Sequence, residues 1–441
     1  MEQRRKNLTQ LFIPICLETL LYMLSGMVDT LMLSSVNDQA VGAVGTANTY
    51  IGIFIIMFSV ISSGMVAVMT QNIGAGRPGV AYQARQLGLA FNAVLGVIMS
   101  LFLSLGAGTI LSGVGVADAL MQPAKTYLQI VGGFCILNAL IPICSSYLRA
   151  FGFSKEPLYA SIIGNVINFC LNAFFLFVLH KGVAGVATAT VISRIINLVI
   201  VVLLGAVLVK AKQHPERESN RAVMGQIIRI GLPSACETAI YNVSMTLVIR
   251  FLNQMDAQGL NVTARSYTMQ ITNFSYCVGA ALAQANAIMT GWHIGAKEYD
   301  ACDRGTKKAA VIGVIVAVIL ETVFTLCSGW IMQLFSKDPQ MVSLVGKLLA
   351  IDIVLEIGRV TNLVYGQALK TSGDAVFPVV MGACFMILCS VGGTYLFGIR
   401  LGLLAVGAYI SMTGDECVRA VGMYLRWKSG KWKEKGLVKS R

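Results

Sequence analysis

Long apolar runs, separated by short polar or basic segments, fill almost the whole chain. A helix needs about 20 mostly apolar residues to cross a bilayer, and twelve runs reach that length. We number them span 1 to span 12, and they cover approximately residues 10–33, 44–70, 86–112, 126–148, 157–179, 184–208, 231–254, 265–290, 309–335, 343–369, 377–398 and 403–425. The pattern therefore predicts an all-α membrane protein with twelve transmembrane helices.

The positions of the basic residues support this number of spans, because Lys and Arg concentrate in cytoplasmic loops. With the N-terminus in the cytoplasm, 24 of the 34 basic residues fall in cytoplasmic segments and only 6 in external loops. The other four are arginines inside spans. We therefore expect a multi-pass protein of the cell (inner) membrane with both termini cytoplasmic.

An internal repeat divides the chain into two halves. Pro14 and Glu18 recur as Pro233 and Glu237, each 219 residues later. Six spans per half is an even number, so both halves enter the membrane from the same side and the repeat is parallel. We expect two six-helix bundles around a central cavity, with alternating access by rocking. The predicted regions are an N-terminal bundle (1–209), a cytoplasmic linker (210–221), a C-terminal bundle (222–425) and a basic cytoplasmic tail (426–441).

Composition excludes several classes of protein. Only 12% of the residues are charged and 56% are hydrophobic, whereas soluble folds have about 25% charged residues. The formal net charge of +13 does not indicate nucleic acid as a partner, because the basic residues lie between apolar runs and not on one face. The expected partners are therefore the lipid bilayer, a small substrate and an ion, and we expect a monomer. The basic tail carries two tryptophans, which favour an anchor at the membrane interface.

No motif indicates an enzyme. The chain lacks a GxSxG turn, a Walker phosphate loop and an HExxH helix. We therefore expect no cofactor and transport driven by an ion gradient, with H⁺ or Na⁺ as the coupling ion.

Ionisable groups inside spans are the candidates for function, because each is costly in the bilayer. Span 1 carries polar residues at spacings of 4, 3 and 4, which is one helical stripe: Glu18, Tyr22, Ser25 and Asp29. Span 5 carries another stripe: Asn165, Asn168 and Asn172. Asp29 beside such amides could bind a proton or a hard cation such as Na⁺, and Pro14 permits a bend in span 1. The alternative is that the asparagines only join helices.

The second half has its own charged stripe in span 10. Asp352, Glu356 and Arg359 are spaced by 4 and 3 residues. They form either a charge-compensated structural cluster or a second coupling site. Glu18 and Glu237 each follow a proline by one turn, and this symmetry leaves a structural and a functional role equally open. Asp415, Glu416 and Arg419 in span 12 favour local ion pairing.

Several motifs together resemble the multidrug and toxic compound extrusion (MATE) family, within the multidrug/oligosaccharidyl-lipid/polysaccharide flippase superfamily. They are Met27-Val28-Asp29-Thr30, the QNIGAGR and WHIGAKE turns after spans 2 and 8, Gly182-Val183-Ala184-Gly185 and Gly373-Asp374. The resemblance covers essentially the whole chain. It implies a secondary antiporter that exports amphipathic, usually cationic drugs and toxins in exchange for H⁺ or Na⁺.

The resemblance also implies two sets of site residues. In branches with an N-half cation site, the acting positions correspond here to Asp29, Asn168, Asn172 and Thr190, with an amide in place of the second acid. Other branches use a Glu in span 7 and an Asp in span 10. Those places are filled here by Tyr241 and Arg359, while Glu237, Glu356 and Asp352 are candidates to replace them. Pro14 and Pro233 are the candidate hinges.

Other functions stay open at this level. A flippase for lipid-linked sugars belongs to the same superfamily, but such proteins generally need a cationic cavity, and here intramembrane acids outnumber arginines. A membrane-embedded enzyme or a passive channel is less consistent with the repeat and the acid stripes.

Overall fold

The structure, a computed structural model, describes residues 6–35, 38–113, 116, 118–210, 214–256, 258–333 and 335–438. These residues are almost entirely helical and contain no strand. The helices are α1 (Leu8–Ser34), α2 (Asp38–Gly74), α3 (Pro78–Gly113), α4 (Asp118–Tyr127), α5 (Ile136–Ala150), α6 (Lys155–Ala173), α7 (Gly182–Leu208), α8 (Asn220–Met255), α9 (Leu260–Gly295), α10 (Tyr299–Leu326), α11 (Ser328–Met332), α12 (Pro339–Ser372), α13 (Val376–Phe385) and α14 (Leu404–Lys428).

These helices confirm the predicted fold class. Eight of the predicted spans each correspond to one helix, span 9 covers α10 and α11, and spans 4, 5 and 11 contain π-helical turns. These turns lie at Leu128–Gly132, Phe174–Val178, Met386–Gly392 and Thr394–Arg400. Span 4 is bent by 43° between Leu120–Gly132 and Ile136–Ala150. Seven of the described helices, or eight with this bent pair, are long and apolar enough to cross a membrane by themselves, and α8, α9, α12 and α14 are less apolar.

The chain forms two compact units, residues 1–232 and 233–441, which divide within α8. The described end of the predicted linker lies against the start of α3. Glu218 pairs with Arg77, and the Gln83 amide donates to the Glu218 carbonyl at 2.7 Å. The first turns of α8 therefore pack with unit 1, so the contacts place the division later than 210–221. The boundary of the functional bundles stays a prediction.

The repeat is visible in how spans 4 and 10 end. Gly152 and Gly373 are equivalent positions and both have left-handed backbones, with φ of 86° and 99°. Each is followed by an amide that bonds back into the preceding helix, Phe153 to Leu148 and Asp374 to Leu369, both at 2.9 Å. Glycine ends the helix at both places because it has no Cβ to clash in this conformation. At Gly373 the Lys435 carbonyl would lie 2.3 Å from an added Cβ.

The tryptophans of the tail are buried inside unit 2. Trp427 and Trp432 are each 1% exposed, and their rings stack with centroids 4.2 Å apart. The Trp427 indole donates to Asp303 and the Trp432 indole donates to the Trp427 carbonyl, both at 2.9 Å. The prediction of an interfacial anchor is therefore wrong for these two side chains, because both indole N–H groups find partners within the protein.

Candidate functional site

In unit 1, the acid of span 1 meets the amides of span 5. α1 packs against α6, and residues 168 and 172 lie one turn apart on the same face. The Asn172 amide donates to Asp29 at 2.6 Å and to the Asn168 side-chain oxygen at 3.2 Å. Asn172 is fully buried and Asn168 nearly so. The structure thus brings Asp29, Asn168 and Asn172 together as predicted. We call these three residues the Asp29 cluster.

A cavity of about 280 Å³ lies between α1 and α6 next to this cluster. It is lined by Leu21, Leu24, Ser25, Val28, Asp29, Ile162, Asn165, Val166, Asn168 and Phe169. Most of the wall is apolar, and the polar groups come from the two predicted stripes. The Asn172 side-chain oxygen is buried and makes no hydrogen bond among the described residues. The arrangement therefore offers carboxylate and amide oxygens, which suit a hard cation.

The span 1 stripe does not act as one surface within unit 1. Ser25 and Asp29 line the cavity, whereas Tyr22 is 72% exposed. Glu18 forms an ion pair with Arg149, with 2.5 Å between their charged atoms. Only the half of the stripe that includes Asp29 therefore reaches the candidate site.

Thr190 is not joined to the cluster by a hydrogen bond. It is buried in α7, and its hydroxyl donates to the Val186 carbonyl of the same helix at 2.9 Å. Arg194, one turn later on α7, is the charged neighbour of Asp29. Sequence reasoning assigned no role to this arginine. Its spacing of four from Thr190 is the signal that could have placed it on the same face.

Glu18 and Glu237 make equivalent ion pairs in the two units. Glu18 pairs with Arg149 at 2.5 Å, and Glu237 pairs with Lys370 at 2.6 Å. All four side chains are at most 16% exposed. Both contacts join the first helix of the repeat to the end of its fourth span. This supports the structural alternative for the two glutamates.

Pro14 and Pro233 lie inside helices that continue past them. α1 runs unbroken from Leu8 to Ser34 and α8 from Asn220 to Met255. The role of both prolines as hinges stays a prediction.

The candidates in unit 2 lie in a buried charged network. Asp352 and Glu356 of α12 are 2% and 0% exposed, and Glu356 pairs with Arg359. Tyr241 is an electrostatic neighbour of Arg359. Glu321 of α10 was not predicted as a partner, yet its carboxylate lies within 4.8 Å of those of Asp352 and Glu356. It is the only acid of span 9, which was the available signal.

The charged residues of span 12 pair as expected. Arg419 donates to Asp415 and contacts Glu416, each at 2.9 Å. Glu416 also lies 3.7 Å from Arg359 and accepts from Asn362 at 3.0 Å. The charges of α12 and α14 therefore form one continuous network.

Comparisons with known proteins agree with the motifs. The MatE family model matches residues 14–174 and 233–396. An uncharacterized transporter YisQ of Bacillus subtilis is 34% identical to this chain. The alignment covers 96% of this chain and 94% of that protein. A probable multidrug resistance protein NorM of Thermotoga maritima is 23% identical, with 98% of this chain and 94% of that protein covered.

Solved structures show the same fold. Two structures, described as MATE in the straight and in the bent conformation, match with TM-scores of 0.87 and 0.88. Their identities are 19% and 17%, and each comparison covers 97% of this chain and 96% of theirs. The fold of this chain is therefore the fold of these solved MATE structures.

Proposed function

Because the chain belongs to the MatE family of transporters, we propose that it is a secondary antiporter that exports small amphipathic cations in exchange for H⁺ or Na⁺. The chain is a multi-pass membrane transporter and not an enzyme. A flippase for lipid-linked sugars is not favoured by the relatives. The substrate and the coupling ion are the parts that we propose.

One observation carries the proposal: the Asp29 carboxylate is bonded to Asn172 beside an apolar cavity. A carboxylate at this place can take up a proton or Na⁺ from one side and lose it to the other. When it is charged it attracts a cationic substrate, and when it is neutralised it does not. Because the coupling ion and the cationic substrate bind the same carboxylate in turn, entry of the ion is coupled to export of the substrate.

The nature of the cavity and the relatives support an amphipathic cation. The cavity wall offers Leu24, Val28 and Phe169 to an apolar body and Asp29 to a positive group. A relative from Thermotoga maritima is named a probable multidrug resistance protein. A substrate with a pyrophosphate group would meet a like charge on this wall.

Transport by purified protein in liposomes tests the proposal. We expect efflux of a lipophilic cation to be driven by an imposed H⁺ or Na⁺ gradient, with the two gradients applied separately. Asp29→Asn should reduce driven efflux to the level of protein-free liposomes, because the amide cannot change charge. The matched control is Asp118→Asn, which removes an exposed carboxylate of unit 1 away from the cavity and should keep driven efflux. Wild-type efflux by Asp29→Asn would contradict the proposal.

A further inference from the structure

We propose that Glu321, Asp352 and Glu356 form a second cation site in unit 2, which binds Na⁺ between α10 and α12. We call these residues the Glu321 cluster. The inference concerns binding by unit 2 and does not rest on Asp29 or on the exported substrate.

The geometry of the Glu321 cluster fits one small cation. An oxygen atom from each carboxylate lies within 4.8 Å of the other two. Oxygen atoms that surround one hard cation at about 2.4 Å lie up to about twice that distance apart. α10 and α12 pack against each other and bring Glu321 opposite Asp352 and Glu356. The cluster is therefore small enough for its three residues to contact a single ion.

A neutral side chain also points to a ligand. Ser275 of α9 is 1% exposed, and its hydroxyl lies beside Glu321 without completing a hydrogen bond. Both oxygens of Glu321 and one oxygen each of Asp352 and Glu356 are likewise buried and without a hydrogen-bond partner in the described chain. Buried polar atoms normally have a partner, because leaving one unpaired costs about 1–3 kcal/mol. A cation among these oxygens would satisfy all of them.

The charges around the cluster leave two carboxylates without compensation. Arg359 pairs with Glu356, while Arg419 is taken up by Asp415 and Glu416. Other charged or titratable side chains that interact electrostatically with this network, among the residues described, are Arg265, Tyr241, Tyr276 and Tyr409. Several buried acids without counter-ions are not stable in a low-dielectric interior, so they gain a cation or a proton. A bound Na⁺ supplies positive charge that the arginines do not.

The Glu321 cluster is built differently from the Asp29 cluster. Asp29 has amide partners in unit 1, whereas unit 2 combines three acids from two helices. Its acids also differ from the two positions at which some MATE branches place acids, since Tyr241 and Arg359 stand there. Arg359 instead compensates one acid of the cluster through Glu356. The second site is therefore a property of this chain's own residues.

Binding of radioactive sodium to purified full-length protein tests the inference. We measure it in Asp29→Asn protein, so that any sodium at the Asp29 cluster is removed. We expect about one saturable Na⁺ per chain in this background, and none when Glu321→Gln is added. Ser275→Ala, which keeps every charge, should weaken Na⁺ binding about tenfold.

Controls separate binding from folding and from transport. Asp300→Asn removes an exposed acid of the same helix and should leave Na⁺ binding unchanged. Thermal unfolding shows whether the Glu321→Gln protein is folded. If it is not, the Na⁺ affinity of the Ser275→Ala protein tests the inference. Absence of Na⁺ binding in Asp29→Asn protein between pH 6 and 9, or equal binding with and without Glu321→Gln, would overturn the inference. Failure of the proposed function would instead appear as normal export by Asp29→Asn.

Discussion

At the scale of single residues, Asn172 defines the chemistry of the Asp29 cluster. It donates to both Asp29 and Asn168, and it stands where the resembling branches carry a second acid. With one carboxylate, the cluster carries one unit of negative charge when it holds no cation. An acid at position 172 would raise this to two.

We predict that Asn172→Asp increases the preference of unit 1 for Na⁺. Two carboxylates at the place of the present 2.6 Å contact repel each other unless a cation lies between them. Na⁺ affinity should rise about tenfold, because ligand charge controls the affinity for hard cations. The measurement is sodium binding in a Glu321→Gln background. Asn165→Asp, on the cavity wall but outside the hydrogen-bonded cluster, is the control and should show a smaller gain.

The paired glutamates allow a prediction about stability. Glu18→Gln removes the negative charge that Glu18 places beside the largely buried Arg149, and Glu237→Gln does the same beside Lys370. Each change should destabilise the protein by about 2 kcal/mol. The double change Glu18→Gln with Arg149→Gln should recover part of this loss, because the buried cation is then removed together with the anion. Thermal denaturation in detergent measures it, and single variants as stable as wild type would disagree with a structural role.

The sequence predicted the Asp29 cluster but only part of the Glu321 cluster, for a physical reason. Asp29 belongs to motifs with fixed spacing, and i,i+4 periodicity alone places Asn168 beside Asn172. Glu321 meets Asp352 only through the rotation of α10 against α12. Periodicity within one helix does not determine how two helices face each other. For the same reason, Arg194 was found inside a span but not beside Asp29.

At the scale of elements, a close crossing of α12 and α14 supports the charged network of unit 2. A Cβ added to Gly358 of α12 would lie 2.8 Å from the Cys417 backbone nitrogen and 2.9 Å from the Glu416 backbone carbon. These atoms are main chain and cannot rotate away. The absence of a side chain at Gly358 therefore sets the distance at which Arg359 reaches Glu416.

We predict that Gly358→Ala separates these helices and destabilises the protein by about 1–3 kcal/mol. The matched control is Gly414→Ala on α14, where an added Cβ would meet nothing within 4 Å. Alanine favours the helix by about 1 kcal/mol over glycine, so the control should be neutral or stabilising. Thermal denaturation of both variants checks this. Equal effects of the two substitutions would show that α12 and α14 can accommodate a methyl group where they cross.

The helical elements were mostly predictable, whereas their irregular turns were not. Apolar runs and flanking polar residues located the twelve spans, although some helices extend well beyond them: α8 begins at Asn220 and span 7 at 231. The bend of span 4 and the π-helical turns at Phe174–Val178 and Thr394–Arg400 have no signal in hydropathy. A π turn depends on how a helix packs against its neighbours, and its residues are otherwise ordinary helix formers.

At the scale of the whole molecule, the distribution of basic residues makes a prediction about orientation. Reporters inserted in residues 214–219 or fused to the C-terminus should both report the cytoplasm, because 24 of 34 basic residues lie on that side of the predicted topology. A reporter inserted at Ser336 should report the outside. A cytoplasmic signal at Ser336, or an external one at either other position, would refute the orientation.

The equivalent ion pairs of Glu18 and Glu237 also bear on the history of the chain. Both pairs hold the same two places of the repeat, yet Asp29 corresponds to Val248 at the separation of 219, and no acid of unit 1 matches Glu321 at 221. A gene duplication copies everything once, so features shared by the halves descend from the ancestral half, and unshared features have since been gained or lost. The glutamate and its basic partner were therefore present in the ancestral half. The Asp29 cluster and the Glu321 cluster are each found in one half, so the two halves diverged at these positions after the duplication.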